Sequence, residues 1–463
     1  MMTAAIHRYI RQKVCKQGQR TGRYFMGVKV IKFGGSSVAD ANQLRKIRSI
    51  IEADPERRYI VVSAPGKRYK NDSKVTDMLI MLNAQATSNI PYDQLFDAVK
   101  ERYTSIAEGL GLETGLEEWF GEIRENLEKG CSEAYIVSRG EYLSARLIAA
   151  YLGYDFIDTR ELVLFNSKGR LMVEETNEAL KEELSKHERA VIPGFYGGYA
   201  GTDEVCLLSR GGSDVTGSLV ARAAEASMYE NWTDVSGMLM ADPRVVSTPL
   251  PIKYISYVEL RELSYMGASV LHEDAVFPAR MAGIPINIRN TNAPDDPGTV
   301  ISSDGGPDGD TIISGIAGKP DFTVISIYKN MMNKEIGFVR RALAIIEDQG
   351  INFDHIPTGI DSLSMVIESS ELEDKLDDIL DAFRLQLKPD DIYVEDNIAL
   401  VAVVGRRMHR SVGVSARICS ALATNGINIR MLNQGTNEIN VIVGVEAKDY
   451  EEAVRVLYSE FVH

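Results

Sequence analysis

Two short stretches hold the residues best suited to chemistry. The first, KVIKFGGSS at 29–37, sets Lys32 inside an apolar run and then turns through Gly34, Gly35 and Ser36. A buried ammonium is costly unless an anion meets it. Glycines at a strand-to-helix turn let backbone N–H groups approach a phosphate closely, and the next helix adds its positive end. The second, LSRGGSDVTG at 208–217, repeats the device, with Arg210 before its two glycines and Ser213 and Asp214 after them. Arginine offers a planar fork for a carboxylate or phosphate. Asp214 reads either as a helix N-cap or as a partner for Lys32 or magnesium. Neither turn is a GxxxxGK[ST] loop. Two such turns, each beside a cation, point to two anionic ligands at the carboxyl ends of parallel strands.

Two more stretches add acids. SRGEYLSA at 138–145 puts Glu141 beside Gly140 at an expected helix start. There it would complement the helix dipole or await a substrate ammonium. NWTDVSGMLMADPR at 231–244 gathers Thr233, Asp234, Asp242 and Arg244 around a turn. Six scattered histidines show no metal-ligand spacing. Cys15, Cys131, Cys206 and Cys419 form no CxxC pair and read as free thiols of a reducing cytosol.

The elements that must position these residues alternate. VKVIKF and RYIVVSAP read as strands around the helix ANQLRKIRSIIEA. Residues 76–86, 93–109 and 116–129 read as helices, and AYIVSRGEYLSARLIAAYL as a strand or turn running into one. DFIDTREL and RAVIPGFYG follow as strands, GSDVTGSLVARAAEA as a helix, and SMYENWTDVSGMLMADP as a strand and loop. Such a βαβα succession implies a mainly parallel sheet covered on both faces. NAPDDPGTVISSDGGPDGD at 292–310 has a linker's composition, with the short strand GTVI inside it.

Beyond it the chain repeats itself. Residues 336–367 align without a gap on 412–443, with Gly337/Gly413, Arg341/Arg417, Gly350/Gly426, Ile351/Ile427, Asn352/Asn428 and Gly359/Gly435 identical. Each copy reads as strand, helix, glycine-ended turn, strand, turn and strand, followed by an acidic helix. That makes two βαββαβ modules.

The 463 residues carry a formal charge of −15 with no long basic stripe, which excludes nucleic acid as the main partner. No apolar run reaches the ~18–20 residues of a membrane helix. The first 25 residues hold Arg8, Arg11, Lys13, Lys16, Arg20 and Arg23 and no acid. A signal peptide needs an apolar middle, which they lack; a targeting peptide is the lesser reading, and the better one is a disordered extension or an upstream start codon, with the natural start at Met26.

Taken in order, KFGGSSVAD, VVSAPG with VTDML, SRGE, PGFYG, SRGGSD, WTDVSG with DPR, and GASVLH resemble the aspartokinases of the amino acid kinase family. The resemblance runs from about residue 28 to the end. It implies a three-layer αβα sandwich with a mainly parallel sheet, plus two C-terminal ACT modules built from the repeat. It divides the chain into an extension over 1–26, a catalytic domain over 27–297, and a linker with a strand for the second module over 298–320. The first module then spans 321–390 and the second 391–463.

The implied activity is transfer of the ATP γ-phosphate to the β-carboxylate of L-aspartate with Mg²⁺, the first step towards lysine, threonine and methionine. Lys32 and Asp214 would be catalytic. Thr76, Glu141, Arg210 and Ser213 would hold aspartate, with Glu141 on its ammonium and Arg210 on its α-carboxylate. Lys32, Gly34, Gly35, Ser36, Thr233, Asp234, Asp242 and Arg244 would hold ATP. No resident metal site is implied. The modules imply feedback by lysine, threonine or both through Met332, Glu335, Gly337, Phe338, Asp354, Thr358, Asn428, Ile429 and Gln434. They also imply a cytoplasmic homodimer, or dimer of dimers, joined through them. The chain departs from the commoner pattern at Cys206, Ser209, Leu239, Met240, Ser269 and Glu273. The rival readings are another amino acid or carbamate kinase of this fold and a catalytically silent amino-acid sensor.

Overall fold

The structure, a computed structural model, describes residues 27–209, 211–268, 271, 273–307, 311–435 and 439–462. The basic extension and Cys15 lie outside these. Eight strands form one sheet in the order Asp155–Phe156, Ala190–Pro193, Arg57–Val62, Lys29–Phe33, Met228–Thr233, Ile286–Asn290, Thr299–Ser302, Tyr254–Ser256. Every neighbouring pair is parallel except Ile286–Asn290 with Thr299–Ser302.

Alternation along the strands makes two cores. Val30, Tyr59, Val61, Ile192 and Tyr229 pack with Leu219 and Val220 of the helix Gly212–Ala223. Ile31, Phe33, Ile60, Val62 and Trp232 pack with Leu44, Leu79, Phe96, Phe120 and Leu143, from five helices on the other face. Both faces of the sheet are therefore covered, as parallel strands require. A buried ion pair fastens the centre: Arg57 Nε donates to Glu230 Oε2 at 2.9 Å, and Trp232 Nε1 donates to the same oxygen at 2.9 Å.

The repeat builds a five-stranded antiparallel sheet ordered Ser362–Glu368, Gly315–Tyr328, Asp391–Val404, Asn440–Glu446, Met431–Gln434. Its two long strands serve both copies. Phe322–Tyr328 runs beside Asp391–Ile398 in the first copy, and Gly315–Lys319 beside Leu400–Val404 in the second. The second copy shares its core with the eight-stranded sheet, whereas the first has a separate core around Ile325, Phe338, Ile345 and Phe383. Both glycine-ended turns have left-handed glycines, Gly350 at φ 64° and Gly426 at φ 72°.

Three expectations are corrected. Residues 133–152 form one helix capped by Ser132, so Glu141 lies mid-helix and not at a helix start. Ala134–Val137 are strand-like in composition, but they lie within the helix, which is buried continuously from Ile136 to Glu141. GTVI belongs to the eight-stranded sheet, where Thr299–Ser302 pairs on both sides, and not to the modules. The first copy lacks the strand expected after Gly350 and keeps only the bridges His355 to Val366 and Thr358 to Leu363. Pro357, between them, has no N–H to give a ladder. No helix among the described residues is long and apolar enough to cross a membrane.

Candidate active site

The chain goes from Lys29–Phe33 to one side of the sheet and later returns to its other side at Met228–Thr233. That reversal opens a crevice at the strands' carboxyl ends. Lys32 sits there, on the face shared with the helix Gly212–Ala223. Its Nζ lies 2.7 Å from Asp214 Oδ1, and the side chains are 9% and 16% exposed. Asn231 Nδ2 donates to the same oxygen at 2.9 Å. Asp214 is therefore no N-cap. Gly211 holds that position, at φ 76°, and no side chain caps the helix.

The first turn closes by tight backbone packing. Gly34 N donates to Trp232 O at 3.0 Å, and Gly66 N donates to Gly35 O at 2.8 Å. A Cβ on Gly35 would stand 2.9 Å from Ala64 O. Gly35–Val38 then form a short 3₁₀ turn.

Glu141 reaches the crevice from the opposite layer. Its Oε1 accepts from Ala64 N at 3.0 Å, while its buried Oε2 has no hydrogen-bond partner. Burial pushes this carboxyl up to about 7. Gly140 beside it lets the helix approach, since a Cβ there would lie 2.7 Å from Ala64 Cβ.

Lys32, Gly35, Ser36, Thr76, Glu141, Ser213, Asp214 and Asp234 line one open cavity of about 590 Å³. Asp242 and Arg244 do not line it. They pair with each other at 2.6 Å and line a second cavity of about 550 Å³, which begins at Val235 and ends against Gly318 and Tyr450 of the repeat region. Thr233, at the last strand residue, donates its hydroxyl to Asp234 Oδ1 at 3.1 Å. Arg210 and Ser269 lie outside the described residues.

The structure adds Phe195, Lys67 and Lys74 to the lining. Phe195 has φ 75°, held by its N–H to Thr216 Oγ1 at 3.1 Å and by Leu208 N to its carbonyl at 2.8 Å. A positive φ at phenylalanine is strained, and only the flanking Gly194 and Gly197 hint at it in the sequence.

The effector candidates are dispersed. Met332 and Phe338 are buried in the first copy's core, and Gly337 caps its helix at φ 79°. Glu335 pairs with Lys329 at 2.8 Å and with Arg341. Asp354 Oδ1 accepts from Tyr265 OH, on the helix Tyr257–Tyr265 outside the repeat, at 2.7 Å, and Thr358 forms the bridge noted above. In the second copy Asn428 is exposed, Ile429 is half-buried, and exposed Gln434 accepts from Ser415 Oγ at 3.0 Å.

A parallel sheet with a cation and an unpartnered carboxylate at its switch point suits transfer of an anionic group to a small amino compound. Residues 27–290 match the model of the amino acid kinase family, and 401–461 match an ACT domain. The chain is 39% identical over 455 residues to aspartokinase 3 of Bacillus subtilis (strain 168), covering 94% of this chain and 98% of that one. The crystal structure of Clostridium acetobutylicum aspartate kinase superposes with a TM-score of 0.88 at 47% identity, covering 94% and 100%. E. coli aspartokinase III in complex with aspartate and ADP gives 0.69 at 26% identity, covering 94% and 99%. The same enzyme with lysine and aspartate gives 0.71 at 26%, covering 94% and 100%. The chain belongs to the amino acid kinase family, and within it to the aspartokinases.

Proposed function

We propose that the chain transfers the γ-phosphate of ATP to the β-carboxylate of L-aspartate, and that the cavity beside Lys32 is where it does so. The observation that carries this is Glu141: a buried carboxylate oxygen without a partner faces the need for a cation, and an amino acid supplies one as its ammonium. Thr76, Ser213 and Arg210 would hold the rest of the aspartate. Gly35 and Ser36 would cradle phosphate, with Asp234 beside it, while Gly34, its N–H held by Trp232 O, would shape the turn and Thr233 would orient Asp234. Asp242 and Arg244, in the adjoining cavity, would meet the far end of the nucleotide.

The β-carboxylate is ionised at neutral pH and needs no general base. One of its oxygens forms a bond to the γ-phosphorus, the bond from that phosphorus to the bridging oxygen breaks, and the electron pair leaves with ADP. Lys32 would neutralise charge on the phosphoryl group, and Asp214 would hold Lys32 in place. Catalysis rests on positioning and fixed charge. No cluster of three metal-ligating side chains occurs among the described residues, but Asp214 and Asp234 both line the cavity. Two carboxylates suit a magnesium ion that arrives on the phosphates, where it would neutralise their charge. An acyl-phosphate assay with aspartate against glutamate tests the reading; turnover of glutamate alone overturns it.

We further infer that the modules bind an amino-acid effector, lysine or threonine, and that two chains pair through them. Ile336 and Val412 stand at equivalent repeat positions and are both fully exposed. Two solvent-facing aliphatic residues at one structural position favour a covering partner, and a second copy of the chain would supply it. Sedimentation of wild type against Ile336→Glu tests this: a dimer unaffected by the charge would refute pairing at that surface.

A further inference from the structure

We propose that the connection from Ser63 to Val75 is a second anion clamp on the cavity, with Lys67 taking a phosphate of the nucleotide and Lys74 a carboxylate of the acceptor. The inference rests on the phosphotransfer reading above and assigns residues that reading leaves unused.

The charges around the cavity ask for it. Its described cations are Lys32, Lys67 and Lys74, and its acids are Glu141, Asp214 and Asp234. Lys32 is already engaged by Asp214. A polyphosphate and a dicarboxylate, added to these acids, bring more negative charge than Lys32, Arg210 and a magnesium ion on the phosphates can balance. Lys67 and Lys74 are exposed and have neither an ion pair nor a side-chain hydrogen bond among the described residues.

Their freedom is built into the connection. The acid between them, Asp72, is buried and fully used by arginines. Arg68 Nε donates to its Oδ2 at 2.8 Å, and Arg102 Nη2 donates to both oxygens at 2.9 Å. These bonds hold the Asp72 carboxyl well below the usual carboxylate range. Arg102 is itself buried and also donates to Gly66 O at 3.0 Å and Ser73 O at 3.2 Å. Val75 N closes the connection onto Pro65 O at 3.1 Å. The backbone carrying the lysines is thus fixed before any ligand arrives, which lowers the ordering cost of contact.

Position assigns each lysine its ligand. Lys67 follows Gly66, whose N–H is bonded to Gly35 in the first glycine turn. Lys74 precedes the helix Val75–Thr87, which brings Thr76 to the cavity and packs Val75 close to Gly140, next to Glu141. One lysine therefore stands at the phosphate end and the other at the acceptor end.

Calorimetric titration of the full chain with ADP and, separately, with aspartate tests the assignment. Lys67→Met is expected to weaken ADP binding about tenfold and leave aspartate within about twofold, and Lys74→Met to do the reverse. Lys→Arg at either position should recover most of the loss. Melting temperatures should not move, because neither side chain holds the fold. Both affinities staying within about twofold of wild type in both variants would overturn the clamp. A wild-type chain that binds ADP but phosphorylates only glutamate would instead refute the aspartate reading, and the Lys67→Met loss of ADP affinity would still stand.

Discussion

The two Gly-Gly-Ser turns are nearly the same word, yet their glycines serve different physical ends. In KFGGSS the backbone keeps ordinary angles: Gly34 lies at φ −72°, and Gly35 is needed for space, because a Cβ would press on Ala64 O. In SRGGSD, Gly211 is needed for conformation, at φ 76°, while Gly212 supplies the close approach, its Cβ position lying 2.6 Å from Phe195. The chemistry is divided as well. The strand before the first turn carries the cation Lys32, and the first turn of the helix after the second carries the acid that holds it. A local motif thus tells where a turn comes close to a ligand without telling why each glycine is there.

The comparison breaks most sharply at the cation. If Lys32 stabilises charge in the transition state and Asp214 only positions it, Lys32→Ala should lower kcat by roughly 10²–10³-fold. Asp214→Asn should cost roughly tenfold less, since an amide oxygen can still accept from Lys32. Steady-state kinetics on folded variants measures both, and equal losses would erase the division of labour between the turns.

Next in size is Glu141, the acid that neither turn supplies. Its carboxyl is raised to about 7 by burial, so below that pH the free enzyme holds it protonated and unable to receive an ammonium. Aspartate affinity should rise with pH towards about 7 and then level off, and Glu141→Gln should weaken aspartate binding by roughly 10–100-fold and abolish the pH dependence. The folded chain keeps this proton where the unfolded chain has lost it, so ligand-free stability falls as pH rises from about 4.5 to about 7. Glu141→Gln removes that decline and should melt higher than wild type above neutral pH. Calorimetry and thermal melts across pH read out both effects.

The turns were legible because their signals are local: an apolar run, paired glycines and a charge at fixed offsets. The parallel sheet followed from the alternation of periods, and the repeat from its constant offset. What failed was set by partners distant in sequence. Glu141 looked like a helix-start residue because Ala134–Val137 resemble a strand, and only packing against Ala64 shows the helix passing through. GTVI looked like part of the repeat because its neighbours are linker-like, and only its pairing with Ile286–Ile288 and Tyr254–Ser256 fixes it in the first sheet. Nothing local in the sequence singles out Lys67 and Lys74, because Arg102, which fixes their connection, comes from a separate helix, Asp93–Leu110. The positive φ of Phe195 is hinted at in the sequence only by the nearby Gly194 and Gly197.

Gly35 comes next in expected effect. Gly35→Ala puts a methyl against backbone atoms of Ala64 and Gly66, which cannot swing aside as a side-chain end would. Overpacking of this kind costs about 1–3 kcal/mol. Displacing the turn should also weaken ADP binding if its N–H groups meet the phosphates as proposed, because they and Gly66 move with it. Denaturant melts and ADP titration check this; an alanine variant with wild-type stability and ADP affinity would show that the first turn has more room than its contacts indicate.

The smallest effect sharpens the comparison best, because it separates shape from space by choice of side chain. Gly211→Ala forces an L-residue into the left-handed region at a cost of about 1–2 kcal/mol. Asparagine tolerates that region, so Gly211→Asn should recover about half of the lost stability. At Gly35 the order must invert: the left-handed region is not used there, asparagine is larger than alanine, and Gly35→Asn should be the worse variant. Four denaturant curves decide it. Asparagine better than alanine at 211 and worse at 35 is the signature of two turns that share letters but not reasons, and the same ranking at both positions would mean that one physical cause governs them.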